Sequence, residues 1–202
     1  MMTKIKGFIA VVVVVVVVVL VLTGMMVGNI ISRQEALKGD GEKLAAGDRA
    51  AIEALAMDFV RNCFVEGAPG ADPSPYIGQD AEALRRLVAI RQTLSAHSSH
   101  GQLVDLTLEK TKYLMQADGS LEVFLQTMES RDSGQGEVCY RMLLEKEAGK
   151  WRIVKALSDD GLTHPQFFCA PQVFEDYDMA NYAEDIDKMD LDAMVAELDD
   201  KA

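Results

Sequence analysis

Few side chains stand out from the sequence as a candidate acid, base or metal ligand, and the sequence does not group them. Proton transfer in an active site needs a positioned carboxylate or histidine and a donor for the developing negative charge. Asp58 is predicted to lie at the side of an amphipathic helix, facing water. His97, His100 and His164 fall in polar loops and lack further ligands at a metal-binding spacing. These four residues therefore read as ordinary surface groups.

Three further candidates lie on predicted strands, where a side chain faces either the core or water. Asp105 and Tyr140 fit either face, whereas Glu122 alternates with Leu121 and Val123 and is predicted to face solvent. The sequence contains no nucleophile elbow, no glycine-rich phosphate loop and no HExxH motif. It therefore predicts no catalytic, cofactor-binding or metal-binding residue, and it favours a role other than that of an enzyme.

The cysteines, Cys63, Cys139 and Cys169, form neither a CxxC pair nor a zinc-type spacing. Cys63 and Cys139 lie within apolar patterns, which favours burial as small apolar side chains. A disulfide between Cys139 and Cys169 is the alternative if the domain is exported.

The longest uncharged stretch of the chain is 8–31, which includes consecutive valines at 11–19. As a helix it would be roughly 36 Å long, enough to cross a hydrocarbon core of about 30 Å. A cleaved signal peptide is the competing reading, but the stretch is long and no A-x-A-like site follows it. A lipoprotein signal would need a cysteine where Met25 stands. We therefore expect an uncleaved transmembrane helix at 8–31, in contact with the lipid bilayer.

The charges that flank this stretch predict its orientation. Lys4 and Lys6 precede it without an acid, and a mixed set of charges follows it. Positive-inside reasoning places residues 1–7 in the cytoplasm and the chain from about residue 33 outside, most simply across a bacterial inner membrane. Gly24 and Gly28 form a small-xxx-small pair that lets two membrane helices approach closely, although two glycines can occur there by chance.

A juxtamembrane linker at 32–48 leads into one domain at 49–160. Apolar residues recur at three and four positions over 49–66 and 80–96, which predicts two helices, with Asp48 and Asp80 as plausible N-caps. After these helices the apolar residues recur at every second position, which is typical of strands. Apolar alternation or flanking turn residues mark strand segments at 104–109, 112–117, 120–129, 138–147 and 150–157. The pattern predicts an α+β domain in which the helices pack on a curved antiparallel sheet of about four strands.

The last predicted strand begins Gly-Lys-Trp-Arg-Ile-Val at 149–154, after a tight turn. This strand, together with the order of helices and strands over 49–160, resembles the nuclear transport factor 2-like superfamily. The resemblance implies a cone-shaped fold with a pocket between helices and sheet. It also implies a choice of roles, since that superfamily includes isomerase-like and cyclase-like enzymes, transport adaptors, and the single-pass inner-membrane subunits of type IV secretion.

The extension at 161–202 is strongly acidic. From residue 172 onward it holds eleven acids and two lysines, a net charge of −9 within a chain total of −12. An amphipathic helix is predicted at about 184–199. Acidic segments that keep apolar anchors often order on a partner with a basic groove, so we expect partner contacts from the aromatic and aliphatic residues of this extension. These residues are Phe174, Tyr177, Tyr182, Ile186, Met189 and Leu198. The alternatives are a solvated, disordered tail and calcium binding, although the glycine of an EF-hand loop is missing.

Together these patterns predict a single-pass membrane protein that serves as an accessory or assembly subunit of an envelope complex. Its partners would be other membrane-complex subunits, bound through the extracytoplasmic domain and the acidic extension. Nucleic acid is excluded as a partner because the chain lacks a basic face. The alternative is a membrane-tethered pocket protein that binds a small ligand or acts like an isomerase or cyclase.

Overall fold

A computed structural model describes residues 44–98, 101–160 and 177–200. The predicted transmembrane helix at 8–31, with Gly24 and Gly28, lies outside these residues, as does the linker from 32 to 43. In the three described ranges, every helix is too short or too polar to cross a bilayer.

Two helices form one layer of the domain. Helix α1 spans Ala46–Phe59 and continues into a π-helical turn at Val60–Phe64, and helix α2 spans Glu82–His97. The predicted N-caps are wrong, because Asp48 lies inside the first turn of α1 and no side chain caps α2. The apolar stripes themselves are confirmed, since each helix buries the residues that recur at helical spacing.

Four antiparallel strands form the second layer, in the spatial order β1-β2-β3-β4. Their bounds are Leu103–Met115, Leu121–Arg131, Gly134–Glu147 and Lys150–Ser158. The segments predicted at 104–109 and 112–117 are one strand, β1, with a register shift between Leu108 and Lys110. A bulge of this kind absorbs one extra residue while pairing with β2 continues. The α+β class with a four-stranded antiparallel sheet is thus confirmed.

The strands are joined by tight turns. Asp118-Gly119 makes the first turn as predicted, with Gly119 at φ +88° and its amide bonded to the Gln116 carbonyl at 3.1 Å. The last turn, between β3 and β4, is made by Ala148 and Gly149, both at positive φ. The loop predicted at 130–136 is shorter than expected, because Arg131 still pairs with Gly134.

The apolar core lies between the helices and one face of the sheet, the inner face. Phe59 stacks on Phe64 with ring centroids 5.2 Å apart, and Phe64 meets the edge of Tyr140 from β3 at 6.2 Å. Val123 and Met142, which are partners across β2 and β3, are fully buried on the same face. These contacts fix the helices on the sheet.

A bulge in β4 changes which residues face this core. Leu144 pairs with Ile153, but Leu143 pairs with Lys155, so Val154 is the extra residue. The bulge reverses the alternation beyond Val154, and Ser158 therefore pairs with Tyr140 on the inner face. The strict alternation expected for this strand is wrong after Ile153.

The described part of the C-terminal extension packs against the same domain. A 3₁₀ turn at Met179–Asn181 leads into helix α3 at Tyr182–Asp187, and helix α4 follows at Leu191–Asp199. Both helices contact α2. The single helix predicted at about 184–199 is broken because Asp190 caps a new helix, accepting the Ala193 amide at 3.1 Å.

Candidate functional site

The residues considered for chemistry do not converge in the fold. Asp58 and Asp105 are exposed. His97 lies at the end of α2, where its Nδ1 is 2.9 Å from Asp199. His100 and His164 lie outside the described residues. In the described parts of the chain, no cluster of three or more histidine, cysteine, aspartate or glutamate side chains could hold a metal ion.

Glu122 is the candidate whose predicted environment is wrong. Its side chain is 7% exposed and receives a hydrogen bond from Arg141 Nη2 at 2.9 Å. Arg141 is also buried, lies over the Phe124 ring at 5.4 Å, and donates to the Tyr177 carbonyl at 2.8 Å. The alternation along β2 correctly places Glu122 on the outer face of the sheet, away from the core. That face is itself covered at this position. An ion pair makes burial of the carboxylate tolerable.

Tyr140 faces the core from the middle of β3 and is completely buried. Its hydroxyl donates to Glu129 Oε1 at 2.6 Å. The pKa of Tyr140 is raised well above its ordinary value. Burial is the largest cause, and the negative charges of Glu129 and Asp160 add to it. The phenol therefore stays protonated at neutral pH and acts as a hydrogen-bond donor.

Arg131 holds the other oxygen of Glu129. Its Nη2 and Nε atoms lie 2.7 and 3.2 Å from Glu129 Oε2. The same guanidinium donates to the carbonyls of Glu66 and Gly101 at 3.0 and 3.1 Å. Because Glu129 already accepts bonds from a phenol and a guanidinium, it is poorly placed to take a proton from a substrate.

Arg91 is the most deeply buried charged residue among those that the structure describes, with 1% of the residue exposed. Its guanidinium forms a two-pronged ion pair with Asp160 and donates to Ser158 Oγ at 2.8 Å. Its Nε donates to the Phe64 carbonyl at 2.8 Å, and the group lies 4.3 Å above the Phe64 ring. The bulge at Val154 is what brings Ser158 into this contact.

Three buried guanidinium groups in the described residues thus each have a carboxylate partner. Every side chain in these pairs is less than one-eighth exposed. The pairs are Arg91 with Asp160, Arg131 with Glu129, and Arg141 with Glu122. An active site instead keeps an ionisable group available to the reacting molecule. This network is suited to fixing helices and sheet in one arrangement.

The sequence carried signals for part of this network. Arg91 occupies a position in the apolar stripe of α2, and Glu129 continues the inward alternation of Leu121, Val123 and Leu125. Asp160 follows the last strand and gives no such signal. Its role depends on the β4 bulge and on a helix that lies far away in sequence.

The acidic extension presents a second candidate site, on the surface. Of its predicted partner-binding residues, Tyr182, Ile186 and Met189 are buried against the chain's own domain. Tyr177 and Leu198 are half-buried, and Phe174 lies outside the described residues. Partner binding by the extension stays a prediction, and of the predicted side chains that the structure describes, Tyr177 before α3 and Leu198 on α4 remain partly accessible.

Helix α4 is held on α2 without a fully buried residue of its own. Four half-buried apolar side chains touch the core, and exposed acids flank them. The apolar residues are Leu191, Met194, Val195 and Leu198, and the exposed acids of the helix and its ends include Asp190, Asp192, Asp199 and Asp200. The arrangement leaves an acidic, partly apolar ridge on the domain surface.

Exposed polar contacts to α2 hold the two ends of this part of the extension. Arg86 Nη1 pairs with Asp187 Oδ1 at 2.5 Å, at the end of α3, and Asp199 of α4 lies 2.9 Å from His97 Nδ1. Exposed pairs contribute little to stability, typically less than about 1 kcal/mol each. The position of α4 is therefore set weakly, in contrast to the buried segment before it.

A comparison of this chain with protein-family models, with curated proteins and with solved structures finds no match.

Proposed function

We propose that this chain is a single-pass membrane protein that acts as an accessory or assembly subunit of an envelope complex. The hydrophobic stretch at 8–31 would anchor it in the inner membrane, with residues 1–7 in the cytoplasm. The α+β domain and the acidic extension would then lie outside the cytoplasm. In this proposal the domain is a nuclear transport factor 2-like module that binds proteins and catalyses no reaction.

The observation that carries the proposal is the ridge formed by α4. Its apolar side chains are half-buried and its acids are exposed, so a partner could cover the remaining apolar surface while its basic groups meet the acids. The buried network supports the same view, because its guanidinium groups are occupied by carboxylates. A partner of matching chemistry would present a basic groove with an apolar floor.

Purification from membranes in a mild detergent tests this role. We expect a complex of defined mass and fixed stoichiometry that contains at least one other envelope protein. Asp192→Lys together with Asp200→Lys should weaken that complex, since both acids are exposed on α4 or at its end. Glu137→Lys with Glu145→Lys changes the charge equally on exposed positions of β3 and should leave it intact. A chain that elutes alone would refute the proposal.

Membrane orientation has its own test. Protease added to spheroplasts should cut the domain, and alkaline carbonate should fail to extract the intact chain. A domain that is protected until the membrane is permeabilised would reverse the proposed orientation. Mass spectrometry that finds a mature chain without 8–31 would replace the anchor with a cleaved signal.

The alternative role is a membrane-tethered protein with a pocket for a small ligand, of the isomerase-like or cyclase-like kind. The buried Tyr140 hydroxyl is its candidate donor, but it already donates to Glu129, so a ligand would have to replace that bond. This role predicts saturable binding of a small apolar probe such as Nile red, abolished by Tyr140→Phe. The same affinity in both proteins, or no binding, would exclude Tyr140 from such a site.

A further inference from the structure

Helices α3 and α4 belong to one stretch of sequence with no helix-breaking residue between them. Residues 182–200 contain neither glycine nor proline. The bend comes instead from a short connection at 188–190, where Asp190 caps α4 and the buried Met189 packs on the core. A continuous helix over 182–199 would add backbone hydrogen bonds across this connection, because each amide there could bond to the carbonyl four residues earlier. The bend therefore depends on packing and on the Asp190 cap.

The apolar residues of the two helices would lie on nearly opposite faces if the helix were continuous. At about 100° per residue, those of α3 and the connection centre on one direction, and those of α4 centre about 160° away. The first set is Tyr182, Ile186 and Met189, and the second is Leu191, Met194, Val195 and Leu198. In a single chain the bend brings both sets onto the same domain. A straight helix would direct the second set away from that domain.

Attachment of α4 to α2 is weak. No residue of α4 is fully buried, and its apolar side chains are half-buried. At the far end of α4, Asp199 lies 2.9 Å from His97 at an exposed site, where such a pair contributes little. This terminal helix can therefore detach at far smaller cost than unfolding of the domain. The surface of α2 that it leaves is complementary to the same helix of a second copy.

We propose that two copies of this chain exchange α4, so that α4 of each copy packs on α2 of the other. In the exchanged form, residues 182–199 are one continuous helix that begins on its own domain and ends on the second. The contacts of α4 with α2 are those of the single chain, and the added helical hydrogen bonds of the connection stabilise the pair. Exchange keeps an acidic ridge on each domain. It depends neither on the proposed membrane anchor nor on an envelope partner.

Two substitutions in the connection act on the bend in opposite directions. Asp190→Ala removes the cap of α4 and favours the continuous helix, because alanine is a good helix former and a poor N-cap. Leu191→Pro suits the first position of α4, and Asp190 already has the extended backbone (φ −94°, ψ 95°) that a following proline requires. In a continuous helix the same proline would be an interior residue and would break it. Leu191→Ala is the matched control, since it removes the same side chain and permits both forms.

Equilibrium sedimentation of the full chain in detergent measures the association. We expect a monomer–dimer equilibrium whose dissociation constant falls about tenfold in Asp190→Ala. It should rise at least about tenfold in Leu191→Pro relative to Leu191→Ala, while thermal circular dichroism shows that both variants still unfold cooperatively. A monomer at all concentrations would overturn the proposal. An unchanged dissociation constant in Asp190→Ala, or equal constants in the two Leu191 variants, would overturn it as well.

Disulfide cross-linking locates the exchanged contact. One preparation carries His97→Cys and another carries Asp199→Cys, both in a chain whose natural cysteines are replaced by alanine. After the two are mixed and equilibrated, oxidation should link the different chains, because α4 of one then lies beside α2 of the other. Lys110→Cys, at an exposed position of β1, replaces His97→Cys to measure links formed by random collision. Cross-linking that does not exceed this background would refute the exchange of α4 and leave the proposed membrane role untouched.

Discussion

The hydroxyl of Tyr182 contacts both backbone polar groups of Ala156, donating to its carbonyl at 3.0 Å and accepting from its amide at 3.2 Å. Both residues are buried, and Ala156 lies on the edge strand β4. An edge strand presents backbone groups with no strand partner, and leaving such groups unsatisfied in the interior is costly. The acidic extension is therefore attached to the domain by a hydrogen-bond pair that completes the sheet edge.

Removal of this hydroxyl tests the attachment. Tyr182→Phe should lower the free energy of unfolding by about 1–3 kcal/mol, because the buried amide and carbonyl of Ala156 lose their shared partner. Urea denaturation followed by circular dichroism measures the change. Tyr76→Phe is the matched control, since its hydroxyl accepts one bond from the Asn62 side chain, at 3.3 Å, at a partly exposed site. Equal effects of the two variants would contradict the role given to Tyr182.

Much of the architecture follows from the sequence, because helical and alternating periods record which face of each element is buried. The buried polar network can be predicted from the sequence only in part. Ser158 enters the core through an extra residue at Val154, and nothing in the apolar pattern of β4 marks that position. Tyr182 was expected to meet another protein, because the acids around it conceal how deeply its ring packs against β4. Both features depend on contacts between distant parts of the chain.

The ion pair between Arg91 and Asp160 should be sensitive to loss of one partner. Arg91→Met leaves Asp160 as a buried, uncompensated charge, and we expect about 3–5 kcal/mol of destabilisation in a denaturant titration. Asp160→Leu should also destabilise the fold. The double variant should be more stable than the sum of the single effects predicts, because it leaves neither charge behind. Additive effects would show that the two groups act independently.

Buried tyrosines should make the fold sensitive to alkaline pH. Burial raises the pKa of Tyr182 above its ordinary value of about 10, as it does for Tyr140. The unfolded chain therefore loses these protons first. Their stabilisation is fully present below pH of about 10 and is lost as the pH rises toward the folded-state pKa, by about 1.4 kcal/mol per pH unit for each group. Urea titrations from pH 8 to 11 should show a shallower decline for Tyr182→Phe than for the wild type.

Cys63 should be unreactive while the domain is folded. Burial, with a further contribution from the negative charge of Asp72, raises the pKa of its thiol to about 11. Only about 0.1% of the thiol is then ionised at pH 8, and the thiolate is the reactive form. Peptide mass spectrometry after iodoacetamide treatment should find Cys63 unmodified in the native protein and modified in urea. Rapid alkylation of Cys63 under native conditions would refute its burial.

Two truncations separate the part of the extension that belongs to the domain from the part that is free to bind. A chain that ends at Asp190 lacks only α4, whose side chains are at most half-buried, and it should still unfold cooperatively. A chain that ends at residue 176 also loses Met179, Tyr182, Ile186 and Met189 from the core. Each such side chain contributes roughly 1.5–3 kcal/mol of apolar burial, and their sum is comparable with the total stability of a typical domain.

We therefore expect the chain that ends at residue 176 to lose cooperative unfolding, measured by thermal circular dichroism, while loss of α4 alone lowers the melting temperature by only a few degrees. The chain that ends at Asp190 should also fail to retain the envelope partner, because it lacks the acidic ridge. If both truncated chains fold equally well, the segment before α4 contributes nothing to the core. If neither folds, α4 is an integral part of the domain, and its ridge is then a structural surface that cannot be detached for binding.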